Sequence, residues 1–291
     1  MGCRCCGGTD LKDLGRIPDA RIFAGKQLSS PLAGGSLYRC EDCSFVFRYP
    51  IYPQAKYDRL YREGESDTWD DTDRIDHQLV RETIRQHLRN GTVLDVGCGG
   101  GRLLMPLAHE YDAFGVEINA KAAQMAEARR VRIVASDIGE ISSLNRTFDT
   151  VVSCDVIEHL PDPLHFMRTL LSATSPGGLV VISTANANSW CWRLVGSRFW
   201  YCYLPEHISF VSPEWFRHHA KALGAEVMDV RRYVYSPRFS LPAKVVRLML
   251  MAFFRLSPQL YYKALPQAKQ RNIPVGRGIT QDHFVIALRK R

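Results

Sequence analysis

The sequence predicts an α/β fold in which a mainly parallel sheet is covered by helices on both faces. Three observations predict it. From residue 92 onward, short apolar runs alternate with helical patterns; a glycine-rich turn follows the first run; and acidic residues end the next two runs. Apolar strands that alternate with helices are typical of parallel sheets buried on both faces. The 291 residues, 46% of them hydrophobic, suffice for one large domain and a small additional unit.

The first 50 residues, here called the cysteine module, are predicted to form that small unit. Cys3-x2-Cys6 and Cys40-x2-Cys43 stand at its two ends, separated by a stretch that contains Gly, Ser and Pro. Such pairs have the spacing of knuckles that supply four thiolates to tetrahedral zinc. Cys5 is a spare thiol that leaves the register open, and reduced metal-free cysteines or bound iron are the alternatives. Because a unit this small has little core, bound metal would supply much of its folding energy.

Residues 51–90 are predicted to be a linker followed by a helix. Residues 51–73 are rich in Tyr and Asp and lack clear periodicity. Apolar residues then recur near helical spacing at positions 75, 79, 84 and 88, and Asn90-Gly91 ends this helix.

Residues 91–291 are predicted to form the large domain. Strands are predicted at 93–96, 113–116, 132–135, 150–153, 179–183, 227–233 and 283–288. Helical patterns lie at 102–110, 120–129 and 163–173, and a further helix follows Ser212. An apolar and basic helix at 242–256 belongs to an insertion near 236–275, and it is too short and too charged to span a bilayer.

A glycine-rich turn and three acids predict a ligand site at one edge of this sheet. The first strand leads into a turn at 97–101 with glycines at four of its five positions, which permits a tight bend and close approach of a ligand to the backbone. Glu117 and Asp137 end the next two strands, where carboxylates can accept from ribose hydroxyls and from an adenine amino group. With Asp95, three acids lie at carboxyl ends of parallel strands. For any one of them a helix N-cap is the alternative.

As a set, these segments resemble the class I S-adenosylmethionine (SAM)-dependent methyltransferases. The resemblance covers roughly residues 75–230 and rests on five segments. These are Leu-Asp-Val-Gly-Cys-Gly-Gly-Gly at 94–101, Gly-Val-Glu at 115–117, Val-Ala-Ser-Asp-Ile at 134–138, the motif at 148–160 and Pro-Gly-Gly-Leu-Val-Val-Ile at 176–182. It implies a Rossmann-like seven-stranded methyltransferase sheet with an antiparallel last strand, and SAM as the cofactor.

The resemblance also implies which residues contact SAM. Gly97 and Gly99 would approach its methionine part, and Asp95 would support the amino group. Glu117 would bind the ribose and Asp137 would frame the adenine. The complete predicted SAM site consists of Asp95, Gly97, Cys98, Gly99, Glu117, Ile118, Asp137, Ile138 and Cys154, the last of these near the sulfonium.

The cysteine module and the Tyr-rich segment after it resemble the zinc-ribbon N-terminus of bacterial methyltransferases that act on sugars and other small molecules. The implied zinc ligands are Cys3, Cys6, Cys40 and Cys43. Four thiolates would fill every coordination place of the zinc, which makes its predicted role structural rather than catalytic.

Two histidines are candidate bases for the methyl acceptor, since a hydroxyl group benefits from a base during transfer. His207 lies in Pro-Glu-His-Ile-Ser-Phe at 205–210, which resembles small-molecule O-methyltransferases, including those of ubiquinone biosynthesis. His159 follows the fourth strand. A hydrogen-bonded structural role is the alternative for each histidine. The aromatic stretch at 190–203 is either a wall of the acceptor pocket or plain core.

The predicted function is SAM-dependent O-methylation of a small molecule, a sugar or a lipid-linked glycan intermediate. The alternatives are an RNA methyltransferase and a non-catalytic SAM-binding protein. An RNA acceptor is the weaker hypothesis because residues 1–50 mix Lys and Arg with acids instead of forming a basic surface near the cysteine module.

Charge is unevenly distributed, and this suggests a partner for the C-terminal region. From Arg231 onward there are thirteen Lys/Arg and one acid, Asp282, whereas the whole chain has a net charge of +8. A basic and apolar region suits a lipid-linked or phosphorylated acceptor, or peripheral contact with the inner face of a membrane. A solvated basic face is the alternative. No secretory signal is visible at the start, so a cytoplasmic location is expected.

Overall fold

The structure of the protein is a computed structural model, and it describes residues 1–62, 74–235, 239–267 and 276–291. The cysteine module contains five strands, β1 (Leu11–Arg16), β2 (Ala20–Phe23), β3 (Lys26–Leu32), β4 (Ser36–Cys40) and β5 (Val46–Tyr49). Two helices follow it, α1 (Gln54–Arg62) and α2 (Ile75–His87).

The large domain alternates strands and helices as the sequence predicts. Its elements are β6 (Thr92–Val96), β7 (Asp112–Val116), α3 (Ala120–Ala128), β8 (Arg132–Ala135), β9 (Phe148–Cys154), α4 (Pro163–Ser172), β10 (Thr174–Ala185), α5 (Trp190–Val195), β11 (Ser209–Phe210), α6 (Pro213–Ala220), β12 (Ala225–Tyr233), α7 (Leu241–Leu256), α8 (Pro258–Ala264) and β13 (His283–Lys290).

Seven strands form the central sheet in the order β12-β13-β10-β9-β6-β7-β8. Neighbouring strands from β10 to β8 pair in parallel, and β13 is antiparallel to both β10 and β12. This confirms the predicted α/β fold with a Rossmann-like seven-stranded sheet. Because β6, β7, β8 and β9 are parallel, their carboxyl ends meet at the same edge of the sheet.

Local sequence signals fix where three helices of the large domain begin. The Asn119 side chain accepts from two backbone amides at the start of α3. The side chains of Asp162 and Ser212 each accept from one backbone amide at the start of α4 and α6, and a proline follows each of these two residues. Such side chains satisfy amides that have no partner within the helix, and proline suits the first helical turn.

The structure differs from the sequence prediction in two segments. Residues 102–110 contain only a short 3-10 helix, Met105–Leu107, because Pro106 has no N–H and its ring clashes with the preceding turn of an α-helix. Residues 51–73 were predicted to be a linker, yet α1 occupies part of them. Tyr57 and Tyr61 of α1 have helical spacing and pack on Phe23 of the cysteine module.

The cysteine module shares its sheet with the large domain. β11 pairs antiparallel with β5 and completes a four-stranded sheet in the order β1-β4-β5-β11. Phe45 of the module lies 6.5 Å from Trp215 of α6, measured between ring centroids. The cysteine module therefore contacts the large domain through both strand pairing and aromatic packing.

The aromatic stretch at 190–203 contributes both to the core and to the lining of a cavity. Trp192 and Phe199 are buried and their rings stack at 4.7 Å, whereas Trp190 is 49% exposed. Trp200 and Tyr201 instead line the cavity described below.

Replacing Trp192 should therefore destabilise the fold far more than replacing Trp190. We expect Trp192→Ala to lower the free energy of unfolding by about 3–5 kcal/mol, because it leaves a large cavity in a packed core. Trp190→Ala is the matched control and should change it by about 0.5 kcal/mol or less. Chemical denaturation followed by circular dichroism measures both, and equal effects would contradict this packing.

Candidate active site

A cavity of about 690 Å³ opens at the carboxyl edge of the central sheet. The eleven residues predicted for SAM and for the base all line it: Asp95, Gly97, Cys98, Gly99, Glu117, Ile118, Asp137, Ile138, Cys154, His159 and His207. The structure thus brings the two predicted groups together in one space. The contact assigned to each residue stays a prediction.

The turn after β6 has backbone angles that residues other than glycine would adopt only with strain. Gly97, Gly99 and Gly101 have φ values of 78°, 50° and 75°, in the left-handed region that glycine adopts without strain. A Cβ on Gly97 would lie 2.6 Å from Val156 Cγ2, whereas a Cβ on Gly99 would meet no atom within 4 Å. Gly99 therefore leaves open space at the cavity, as a cradle for a ligand requires.

Two buried carboxyl groups lie beside this turn. Glu117 accepts hydrogen bonds from the amides of Gly99 and Asn119, both at 2.8 Å. Asp95 is 2% exposed, and its Oδ1 has no hydrogen-bond partner among the described residues. Burial, together with the charge of Glu117, raises the pKa of Asp95 to about 8. A ligand ammonium group would give this carboxylate its missing partner, so the residues present fit the methionine end of SAM.

Asp137 and Cys154 occupy the ends of β8 and β9. Asp137 accepts from the amide of Gly139 at 2.7 Å and caps the 3-10 helix Ile138–Ser143. The N-cap alternative thus holds for Asp137, which also lines the cavity. Burial raises the pKa of the Cys154 thiol well above its usual range, so this group is neutral.

Sequence reasoning missed an ion-pair cluster at the same edge. Arg74, directly before α2, lines the cavity and pairs with Asp76 and Asp155. Asp155 has φ 52°, and burial raises its pKa to about 6 although Arg74 opposes this. A guanidinium group here could hold the carboxylate of SAM. The position of Asp155 directly after a strand was a usable signal, whereas Arg74 reaches the site only through the tertiary fold.

Tyr201 lines the cavity and contacts a carboxyl group buried next to it. Glu158 accepts hydrogen bonds from the Tyr201 hydroxyl and, at 3.0 Å, from Thr184. Burial raises the pKa values of both Glu158 and Tyr201. Glu158 lies four residues past the end of β9, in the 3-10 helix Ile157–His159, so the strand-end signal of Asp155 does not extend to it.

The two predicted histidines are neighbours, with ring centroids 4.9 Å apart. His207 Nδ1 lies 3.2 Å from the carbonyl oxygen of Tyr201. Because a carbonyl only accepts, Nδ1 carries the proton and Nε2 carries the lone pair. His159 Nδ1 lies 2.7 Å from the Tyr61 hydroxyl, a partner that the sequence did not indicate. Burial lowers the pKa of both histidines, which makes them neutral near pH 7.

The same histidines offer a possible cation site. Glu158, His159 and His207 bring ligand atoms within 4.8 Å of one another. A carboxylate and two neutral imidazoles suit a divalent transition metal such as zinc.

The four predicted zinc ligands also lie together, away from this cavity. The Sγ atoms of Cys3 and Cys43 are 3.7 Å apart, those of Cys6 and Cys40 are 3.6 Å apart, and all four lie within 4.8 Å of one another. A tetrahedron with Zn–S bonds of about 2.3 Å separates its sulfurs by roughly 3.8 Å. Cys5 lies outside this set, so the geometry fits zinc and selects one register.

Cys5 has other partners instead. Its Sγ accepts from Trp215 Nε1 at 3.3 Å and lies 3.5 Å from His219 Nε2. Both partners belong to α6, so the spare thiol lies at the interface with the large domain.

A glycine cradle with buried acids at parallel strand tips defines an α/β protein that binds a nucleoside cofactor. The chain belongs to a methyltransferase-domain family, whose model matches residues 72–230, more than half of the chain. Together with the strand order, this membership confirms the predicted class I SAM-dependent methyltransferase and SAM as its cofactor.

Curated relatives cover part of the chain. A mitochondrial ubiquinone biosynthesis O-methyltransferase from Arabidopsis thaliana is 30% identical over 161 residues, 50% of this chain and 49% of that protein. A ubiquinone biosynthesis O-methyltransferase from Paraburkholderia xenovorans is 28% identical over 52% of this chain and 71% of its own length. Among solved structures, a SAM-dependent methyltransferase from Archaeoglobus fulgidus is 19% identical, with a TM-score of 0.48, over 82% of this chain and 100% of that one.

Glu117 should be essential for cofactor affinity. We expect Glu117→Ala to weaken SAM binding by about 10- to 100-fold, because it removes a charged acceptor and releases the amide of Gly99. Glu110→Ala is the matched control, since Glu110 is exposed and pairs with Arg85. Isothermal calorimetry measures both dissociation constants. An unchanged affinity in Glu117→Ala would disprove the predicted ribose contact.

Proposed function

We propose that the protein transfers the methyl group of SAM to a hydroxyl oxygen of a small molecule. The observation that carries the proposal is the shared cavity, which joins the glycine cradle to a buried histidine with a free lone pair. The names of the curated relatives support an oxygen acceptor on a small molecule and do not favour RNA.

The donor end of the cavity would position SAM. Arg74 would pair with its carboxylate and Asp95 with its ammonium group, while Glu117 would accept from the ribose hydroxyls. Bound SAM supplies a methyl carbon that a sulfonium makes electrophilic. The protein's contribution is to hold that carbon in line with the acceptor oxygen, which removes much of the entropic cost of transfer.

The acceptor end of the cavity would receive the proton. His207 has its Nδ1 proton committed to the Tyr201 carbonyl, so Nε2 is the atom that can take the acceptor's hydroxyl proton. The low pKa of His207 keeps the ring neutral and ready to accept. Tyr201 itself lines the cavity and could orient the acceptor.

Replacing His207 should reduce turnover without reducing cofactor affinity. We expect His207→Asn to lower kcat by about 100-fold or more, with the SAM dissociation constant unchanged. His218→Asn, an exposed histidine on α6, is the control. Since the neutral ring is the active form and its pKa lies well below 6.5, wild-type kcat should stay level from neutral pH down to 6.5 and fall at lower pH.

The measurement is methyl transfer from labelled SAM to fractionated small-molecule, lipid, glycan and RNA pools. Labelling confined to the RNA pool would refute the proposed acceptor class. A His207→Asn enzyme with wild-type kcat would refute the assignment of the base.

We also propose that the acceptor is carried by a lipid surface, which the C-terminal region contacts. One face of α7 exposes a stripe of apolar side chains, here called the α7 face: Leu241, Val245, Leu248, Met249 and Leu256. Met251 and Phe254 on the opposite side are buried. A helix with an exposed apolar face and basic residues lies well at a membrane interface.

Charge favours an anionic lipid surface as the occupant of the α7 face. Lys244 and Arg255 lie on the same helix, Lys263 follows on α8, and the single acid after Arg231, Asp282, is fully buried. Each exposed basic residue near an anionic surface contributes about 1 kcal/mol to binding. Within the described parts of the chain, no helix combines the length and apolar character needed to cross a bilayer.

Vesicle binding tests the α7 face. The protein should sediment with phosphatidylcholine vesicles that contain about one third phosphatidylglycerol, and much less with phosphatidylcholine alone. Met249→Glu should abolish this binding, while Ile22→Glu, at an exposed apolar residue of the cysteine module, should not. Absence of vesicle binding, or a dimer in light scattering that Met249→Glu dissociates, would contradict the proposal.

A further inference from the structure

The segment that carries His207 is held chiefly through its backbone carbonyls. Residues 201–208, here called the acceptor loop, run from the end of the aromatic stretch to β11 and contain Tyr201, Glu206 and His207. The carbonyls of Cys202, Leu204 and Ile208 all accept hydrogen bonds from arginines of the cysteine module.

Arg48 makes two of these contacts from within the protein. Its Nη2 donates to the carbonyls of Cys202 at 2.7 Å and Leu204 at 3.0 Å, and its own backbone amide donates to the carbonyl of Ile208 at 3.0 Å. Arg48 is 3% exposed and forms no ion pair among the described residues. A buried guanidinium costs much desolvation, and charge-assisted bonds to carbonyls offset part of it. Such a group specifies one geometry for the loop more than it stabilises the fold.

Arg4 makes the third contact from the other end of the module. It lies between the predicted zinc ligands Cys3 and Cys6, and its Nη2 donates to the carbonyl of Ile208 at 2.7 Å. The pairing of β11 with β5 adds backbone contacts at Ser209 and Phe210. The backbone that presents Arg4 is thus the backbone that four thiolates would fix around a metal.

The donor end of the cavity does not share this support. Among the described residues, hydrogen bonds between the cysteine module and the large domain reach residues 187–219, and none of them reaches the glycine turn at 97–101. The turn is instead tied to β7 through Glu117. Cofactor binding and acceptor positioning are therefore supported by separate sets of contacts.

We infer that the cysteine module is a positioning device: with metal bound, Arg48 and Arg4 hold the acceptor loop so that His207 meets the acceptor, while SAM binding is independent of them. The inference rests on the proposed role of His207. It gives the predicted zinc a function in turnover without any contact to substrate, because the metal fixes the module and the module fixes the loop.

Hydrogen exchange of the full-length protein tests the positioning directly and needs no acceptor. In Arg48→Met we expect backbone amides of residues 203–208 to exchange about tenfold faster, with the peptide that covers 97–101 unchanged. Removal of metal with a chelator should produce the same pattern. Arg48→Lys keeps the charge and should restore part of the protection. Arg21→Met, at an exposed arginine of the same module, should leave it at the wild-type level.

Kinetics with the acceptor that the labelling experiment identifies provides the second readout. Arg48→Met should lower kcat/KM for the acceptor by about 10- to 100-fold, since a displacement near 1 Å is that costly, while the SAM dissociation constant stays within about twofold. A parallel loss of SAM affinity, or unchanged exchange in both Arg48→Met and the chelated protein, would overturn the inference.

Two safeguards separate the possible failures. If Arg48→Met does not fold, Arg4→Met and the chelated wild-type protein test the same loop, and wild-type exchange at 203–208 in both would overturn the inference. If no acceptor is methylated, the proposed function fails, yet the exchange data still show whether the module orders the loop.

Discussion

The hydrogen bonds from the amides of Gly99 and Asn119 to Glu117 tie the turn after β6 to the end of β7. Everything at the donor end of the cavity depends on this link. It fixes a turn with left-handed glycines at the alternate positions 97, 99 and 101, keeps the turn open, and places Glu117 beside Asp95. The parallel register of β6 and β7, in which Asp95 pairs with Gly115, brings these strand tips level. One carboxylate thus connects sheet topology to the shape of a ligand site.

That arrangement places several acidic groups close to one cavity. Asp95 and Asp155 line the cavity, Glu158 is buried next to Tyr201, and desolvation raises the pKa of each. Arg74 pairs with Asp76 and Asp155. Asp95, whose Oδ1 has no hydrogen-bond partner among the described residues, is best satisfied by a cationic ligand, since a buried acid without a partner otherwise takes up a proton. SAM brings both an ammonium and a sulfonium, so ligand binding and charge compensation coincide.

The sequence predicted those parts of the site that depend on local pattern. A strand end followed by glycine or acid can be recognised without knowing the fold, and all eleven predicted residues line one cavity. Arg74, Tyr61 and Arg48 could not be found in this way, because each reaches the site from an element distant in sequence. Pro106 and the helical spacing of Tyr57 and Tyr61 are visible in the sequence, but the hydrophobic pattern alone does not reveal their effect.

The sequence pattern changes sharply near residue 50, but the cysteine module and the large domain share a buried core across this boundary. Cys40 and Phe47 belong to the same buried cluster as Leu94 and Ile182 of the central sheet. A module with its own cysteine cluster and its own strands nevertheless completes its sheet with β11 and buries Arg48 against the large domain. Because those shared contacts fall at the acceptor end, changes in the module can alter acceptor recognition while the glycine turn and its acids stay intact. A small unit joined to the large domain in this way thus offers a means to diversify the acceptor on a constant cofactor site.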